Sequence, residues 1–349
     1  MRILIYGAGA VGCYLGGHLA LAGHSVTLLG REQLKSAVEA SGLTLQFADG
    51  AARKIHNVVV ATKPEKAFAG EGFDWIAFTM RAYDTVPAIF ELQAVTPTPP
   101  PIVSFQNGIG SEESLRSAFS EDTVVAATLT SPVSMPEPGI VVEEKARGVA
   151  VASDSGAAIQ VESAFRSTRL PVTVVPHSDV LKWSKLLLNM VGNATSAILD
   201  MPPGKVFADP RLFGVEWAAL REALYVMDMY NIPVVNLPGA AARTLALVVR
   251  YVPQPVLRPL LRHQVQTGRG RKLPSLLNAL RAGHRRTEVA WLNGAIVQAA
   301  DRMKRLAPIN HALALTVSDI AAGRADWNTF RDQPEALLTV IRTVQGLDH

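Results

Sequence analysis

A chain of 349 residues, 48% hydrophobic and 18% charged, has ample material for a core and is long for one compact unit, so two domains are the default. Its single cysteine, Cys13, excludes an internal disulfide framework and any all-cysteine metal cluster, and a formal net charge of +4 suits an anionic cofactor or substrate. The histidines show no i,i+4 pairing with another ligand type on a predicted helix, so no metal is expected. No stretch reaches membrane-spanning length, and the opening apolar run passes straight into glycines instead of forming a secretion signal. A cytoplasmic protein with no membrane partner is the expectation.

The first element is a short β-branched run, Ile3–Tyr6, that leads into Gly7-Ala8-Gly9-Ala10-Val11-Gly12 and then a helix. Strand, glycine turn and helix N-terminus form the geometry that cradles a dinucleotide pyrophosphate. Gly7 permits the turn, Gly9 lets backbone approach phosphate and Gly12 lets helix and strand pack, while Ala10 and Val11 complete the loop as cofactor-binding candidates. Cys13, just behind it, reads as a small packing residue. A second strand, Ser25–Leu29, ends in Gly30-Arg31 where an acidic residue would hold the ribose of NAD. An arginine there pairs a 2′-phosphate and stacks on adenine, which favours NADP, against the plain alternative of a solvated strand-end cation. Arg81, after the strand Trp75–Thr79, is a second candidate for the same phosphate.

Further strands are expected at Asn57–Ala61, Ile102–Ser104, Val124–Leu129, Ile140–Glu143 and Val149–Ala152, with surface loops at Pro97–Pro101 and Pro132–Gly139. Asn107, in Gln106-Asn107-Gly108, follows a strand end where a nicotinamide would lie, although an asparagine before glycine also suits a plain turn. After His177 the strand signals fade and helices are expected at Val180–Leu199, Leu212–Met229, Ala240–Tyr251, Ser275–Ala282 and Thr287–Arg305. The fold class is therefore α/β: a Rossmann-type doubly wound parallel sheet in residues 1–176, then an all-helical domain, 177–349, for substrate binding and dimerisation. Substrate is expected at the carboxyl ends of the strands, between the domains.

Within Val180–Leu199, Lys185, Asn189 and Asn193 recur every four residues along one side of a helix that is otherwise apolar almost all round. Buried polar groups need partners, so a lysine and two amides there suggest a polar cleft. Thr287 is placed to cap the last of these helices, which puts Glu288 in its first turn, where the helix dipole favours an anion. Asn293-Gly294 fits close helix packing. The basic run Arg258–Arg286 carries Arg262, His263, Arg269, Arg271 and Lys272 without aromatic interleaving, so a solvated face is expected and no nucleic-acid partner. Apolar residues in Ala240–Val249 and Ala290–Ala300 leave room for a homodimer.

Taken together, the glycine loop with Arg31, the Gln106-Asn107-Gly108 segment, Trp183-Ser184-Lys185 with Asn189 and Asn193, Ser275, and Thr287-Glu288 through Asn293-Gly294 resemble the ketopantoate reductases (2-dehydropantoate 2-reductases). The resemblance runs across nearly the whole length. It implies an enzyme that reduces a 2-oxo acid with NADPH on the path to pantothenate and coenzyme A. It further implies Lys185 as general acid, Glu288 as the group that places substrate and lysine, and Asn107 in contact with cofactor and substrate. Asn189, Asn193 and Ser275 would hold the substrate's hydroxyl and carboxylate groups. The segment Pro238–Pro274 is enlarged relative to shorter members, and the Ser275-to-Glu288 spacing is one residue longer. Another branched or hydroxylated 2-oxo acid is therefore an alternative substrate. A non-catalytic NADP-sensing protein is a remote third reading, supported only by the basic run and opposed by Lys185.

Overall fold

The computed structural model describes residues 1–254, 256, 258 and 273–346. The first part of the chain runs β1 (Arg2–Tyr6), α1 (Ala10–Leu21), β2 (Ser25–Leu29), α2 (Glu32–Ser41), β3 (Leu43–Gln46), β4 (Ala52–Ile55), β5 (Val58–Ala61) and α3 (Pro64–Ala67). It continues through β6 (Trp75–Phe78), α4 (Thr85–Val95), β7 (Ile102–Ser104), α5 (Ser111–Ala118) and β8 (Val124–Leu129). Next come β9 (Val133–Glu137), β10 (Ile140–Glu143), β11 (Val149–Ala152), α6 (Ala158–Arg166) and β12 (Val172–Val175).

An eight-stranded sheet has the order β12-β11-β8-β7-β6-β1-β2-β5 and is parallel except where β11 meets β8. Every residue of β6, β7, β8 and β11 is buried, as strands covered by helices on both faces must be. The chain steps outward from β1 to β2 and β5, then returns to place β6 on the other side of β1. That reversal opens a crevice at the carboxyl ends of β1 and β6, the usual ligand position in such sheets.

Two expectations are corrected. Ile140–Glu143 does not extend the large sheet; it pairs in a second, four-stranded sheet of order β4-β3-β10-β9. Pro132–Gly139 is not simply a loop, because Val133–Glu137 forms β9, and Pro136 is tolerated there because β9 is an edge strand. The small sheet packs on α1. The Tyr14 hydroxyl donates to the buried Glu143 carboxylate, and a Cβ on Gly17 would sit 2.9 Å from Leu45. With a sheet on each side, α1 is buried continuously from Gly12 to Ala20, which is why it shows no polar stripe. Cys13 is free and fully buried among these residues, and burial pushes its thiol up to about 12, which makes it an inert packing group.

His18 lies in the same sandwich, edge-on to Tyr14 and Phe47, and its Nε2 finds no partner among the described residues. Burial and the nearby Arg169 depress its pKa from 6.5 to about 4. Between those values the unfolded chain binds a proton that the folded chain refuses, so stability falls as pH drops through that window. The loss is on the order of 3 kcal/mol. Denaturant titrations at pH 7.5 and 4.5 should show that loss in the parent and a smaller one in His18→Phe; equal losses would clear His18.

The second part comprises α7 (Ser178–Met190), α8 (Ala194–Leu199), α9 (Pro203–Ala208), α10 (Pro210–Met229), α11 (Ala242–Tyr251), α12 (Ser275–Arg281), α13 (Asn293–Arg302), α14 (Pro308–Ala322) and α15 (Pro334–Gln345). None of the helices, among the described residues, is long and apolar enough to cross a membrane. The chain divides into two compact units, Met1–Lys182 with Leu237–Ala240, and Trp183–Asn236 with Ala241–His349. The short Leu237–Ala240 turn joins the first unit through Pro238, whose carbonyl accepts the Thr130 hydroxyl at 2.7 Å.

Two expected helices are interrupted. Val180–Leu199 breaks at Val191–Asn193, where Gly192 adopts φ +60° and donates its N–H to the buried Glu216 carboxylate of α10 at 2.6 Å. Thr287–Arg305 divides into a 3-10 turn, Glu288–Trp291, and α13, with Thr287 at the cap position but no side-chain cap bond. Of the residues expected to support a dimer, Leu247 on α11 is exposed, whereas α13 buries Ala295, Ile296, Ala299 and Ala300 within its own unit. Part of the basic run, Arg262, His263, Arg269, Arg271 and Lys272, and much of the enlarged segment lie outside the described residues.

Candidate active site

The glycine loop sits at the β1–β6 crevice. Gly7 has φ +102°, and a Cβ there would lie 2.6 Å from the Met80 backbone nitrogen, so only glycine fits against the loop that follows β6. The Gly7 carbonyl accepts the Thr79 hydroxyl at 2.8 Å, and the Ala8 N–H donates to Leu29 at 2.9 Å. A Cβ on Gly12 would meet the Gly7 carbonyl oxygen and Thr79 Oγ1, both at 2.6 Å. Gly9 differs: nothing lies within 4 Å of its Cβ position. It is the N-cap of α1, where no side chain caps the helix and the first turn has no acidic residue. The amides at Ala10, Val11 and Gly12 therefore lead a helix N-terminus that neither a side-chain cap nor a first-turn acid neutralises, and this suits a dinucleotide pyrophosphate.

Arg31 is exposed at the end of β2 and begins α2. The turn before it packs on the glycine loop, since a Cβ on Gly30 would lie 3.0 Å from Ala8 Cβ. Arg81 is exposed after β6, and Asn107 is half-buried after β7. The three residues thus follow the carboxyl ends of β2 on one side of β1 and of β6 and β7 on the other, and the acidic ribose ligand typical of NAD sites has no counterpart at 31.

Beneath this edge is a buried polar network whose centre the sequence did not reveal. Gln106 donates its amide to the carbonyls of Met80 and Arg81, both at 3.3 Å, and to Thr85 Oγ1 at 2.8 Å. Lys182, 4% exposed, donates to the carbonyls of Ser104 at 3.1 Å and Gln106 at 2.8 Å. Its third partner is Glu112 on α5, at 2.6 Å and itself buried. One turn later on α5 and one turn earlier on α7, Arg116 donates to Ser178 at 2.9 Å, and Ser178 donates to Asp154. Lys182 lies near the start of α7, and its one sign in the sequence is a cation in the otherwise apolar Val180-Leu181-Lys182-Trp183 stretch.

The second unit carries the remaining candidates. On α7, Leu186, Leu187 and Met190 are buried, while Lys185 and Asn189 are partly exposed one turn apart. That is the polar opening on a buried helix expected from their spacing. Asn193 does not continue the row, because it lies past the helix break and caps α8. Its Oδ1 accepts the Leu276 N–H at 3.1 Å, and its Nδ2 donates to the Asn189 carbonyl at 3.0 Å and reaches Ser275 Oγ at 3.4 Å. Asn193 thus ties α12, and with it the exposed Ser275, to the end of α7. Glu288 is 6% exposed in the 3-10 turn. Beside that turn, Asn293 donates to Asn310 at 2.9 Å, and Asn310 is held in turn by Glu222 at 2.7 Å.

Two family models cover most of the chain: ketopantoate reductase PanE/ApbA matches residues 3–154, and the ketopantoate reductase PanE/ApbA C-terminal region matches 179–321. The chain belongs to the ketopantoate reductase family. A curated member, the 2-dehydropantoate 2-reductase of Pyrococcus horikoshii, is 26% identical over 318 residues, covering 90% of this chain and 95% of that one. The solved PanE/ApbA family ketopantoate reductase from Ralstonia eutropha JMP134 superposes with a TM-score of 0.77 at 26% identity, over 93% of this chain and 99% of that one. A D-mandelate dehydrogenase solved with NADH and anilino(oxo)acetate shares the fold at 19% identity, with a TM-score of 0.75 over 93% of this chain and 99% of that chain. Both the α/β part and the helical part are therefore those of the ketopantoate reductase fold.

Proposed function

We propose that this member of the ketopantoate reductase family reduces ketopantoate to pantoate with NADPH, in the supply of pantothenate and coenzyme A. The observation that carries the reading is the pair of partly exposed polar side chains, Lys185 and Asn189, one turn apart on the mostly buried α7. Gly7, Gly9, Ala10, Val11 and Gly12 would hold the pyrophosphate, with Arg31 and Arg81 on the 2′-phosphate and Asn107 on the nicotinamide side. NADPH, when bound, supplies the hydride that goes to the ketone carbon. As that carbon accepts the pair, charge builds on its oxygen, and Lys185 Nζ donates the proton that completes the alcohol. Glu288 orients the lysine and the substrate hydroxyl. Asn189 and Ser275 hold the polar ends of the substrate, and Asn193 places Ser275.

NADPH oxidation by the purified protein with ketopantoate, beside a panel of 2-oxo acids and repeated with NADH, tests the reading. Turnover of ketopantoate in preference to the panel supports it; NADPH binding with turnover of another acid alone would move the substrate. That second substrate reading has support in the D-mandelate dehydrogenase of the same fold, because a fold does not determine which acid is taken. Cofactor preference has its own test. Arg31→Ala should raise the KM for NADPH by roughly 10- to 100-fold, the worth of a charged hydrogen-bonded phosphate contact, and barely change that for NADH. Equal changes for both cofactors would remove Arg31 from phosphate recognition.

A further inference from the structure

The buried lysine is not the proposed acid. All three Nζ–H bonds of Lys182 are engaged, on Ser104 O, Gln106 O and Glu112 Oε1, at 3.1, 2.8 and 2.6 Å. Its charge is compensated on the spot by a carboxylate that is equally buried. Burying an ion pair rarely adds stability over well-packed apolar side chains of similar volume, so the pair calls for a reason other than stability. Its placement supplies one. Two of the three bonds clamp the carbonyls on either side of Phe105, at the carboxyl end of β7. Gln106, whose carbonyl is clamped, passes the constraint on through its side chain to the carbonyls of Met80 and Arg81. The residue after Gln106 is Asn107, and the backbone at Met80 is the surface against which Gly7 fits.

We propose that Lys182, paired with Glu112, is a positioning residue that fixes the Gln106–Asn107 backbone and, through Gln106, the Met80–Arg81 loop for hydride transfer. It rests on the proposed reductase reading, because Asn107 matters only where cofactor and substrate meet it.

The test removes both charges together, since either one left alone would be an unpaired buried ion. Lys182→Met/Glu112→Leu should melt within a few degrees of the parent, as such replacements commonly do. Amide exchange over residues 104–110 should become faster, and kcat should fall roughly 10- to 100-fold, the cost of a misplaced reacting geometry. The pH profile of the remaining activity should keep its shape, because Lys182 donates no proton. A double variant with parental exchange and parental kcat would overturn the proposal, leaving the pair as packing. Loss of the high-pH limb of the profile, where a protonated donor titrates away, would overturn it differently, by making Lys182 itself the donor. If the parent protein turns over no 2-oxo acid, the reductase reading fails on its own. The exchange comparison still decides the clamp, and unchanged exchange would refute it.

Discussion

Lys185→Ala is expected to lower kcat by roughly 10²- to 10⁴-fold, the usual worth of a positioned proton donor, with NADPH affinity unchanged. The separation of effects follows from where the groups lie. The proposed phosphate and nicotinamide contacts all belong to the first compact unit, whereas Lys185 belongs to the second. The substitution should fold, because the side chain is partly exposed and alanine is the best helix former. Lys185→Arg separates charge from proton donation: the guanidinium keeps the cation but does not release a proton in the working range, so it should stay slow. Steady-state kinetics with cofactor titration by NADPH fluorescence would measure both quantities. An alanine variant that reduced ketopantoate at the parent rate would remove Lys185 from the chemistry, and one that also lost NADPH binding would point to a disrupted fold.

The second large effect distinguishes two glycines of one motif. Gly12→Ala should destabilise the protein by about 1–3 kcal/mol, because its Cβ would press on the Gly7 carbonyl and Thr79 at 2.6 Å and on Ile5 at 2.8 Å. Gly9→Ala should leave stability close to the parent, since that Cβ would meet nothing within 4 Å. It should instead weaken NADPH binding by roughly 10- to 100-fold, the overpacking cost transferred from folding to ligand approach. Melting curves with and without NADPH read both variants: Gly12→Ala should shift the cofactor-free curve, and Gly9→Ala should shrink only the gain on adding NADPH. Equal behaviour of the two would contradict the division of roles.

These two sets of residues were legible in the sequence for a common reason: each is local. β1, the glycine loop and α1 span Arg2–Leu21, one continuous stretch, and a turn that must admit φ +102° at Gly7 accepts little but glycine. Lys185 and Asn189 stand one helical turn apart, so spacing alone put them on one face. Asn193 shows where that reasoning stops. Its spacing is equally regular, but a carboxylate from α10, more than twenty residues onward, draws out the Gly192 N–H and ends the helix before it. No local pattern announces such a partner.

Three of the four strands of the small sheet, β3, β4 and β9, escaped notice for a related reason. β3 and β4 are four residues each, β4 is exposed at three of its four positions, and β9 contains a proline. Their pairing is decided by the α1 surface they cover, not by their own composition. Lys182 and Glu112 are separated by seventy positions and find each other only in the folded chain, where burial leaves the ammonium no water and three protein oxygens must replace it. The amino-acid sequence by itself determined the Rossmann-type sheet, the helical second part, the family and the candidate residues whose signals lie within one turn of helix or one loop. Tertiary structure alone decided the second sheet, the break at Gly192 that reassigns Asn193 to α12, and the buried lysine beneath Asn107. Each of those depends on satisfying a polar or apolar group across a long stretch of chain, and only burial makes that requirement binding.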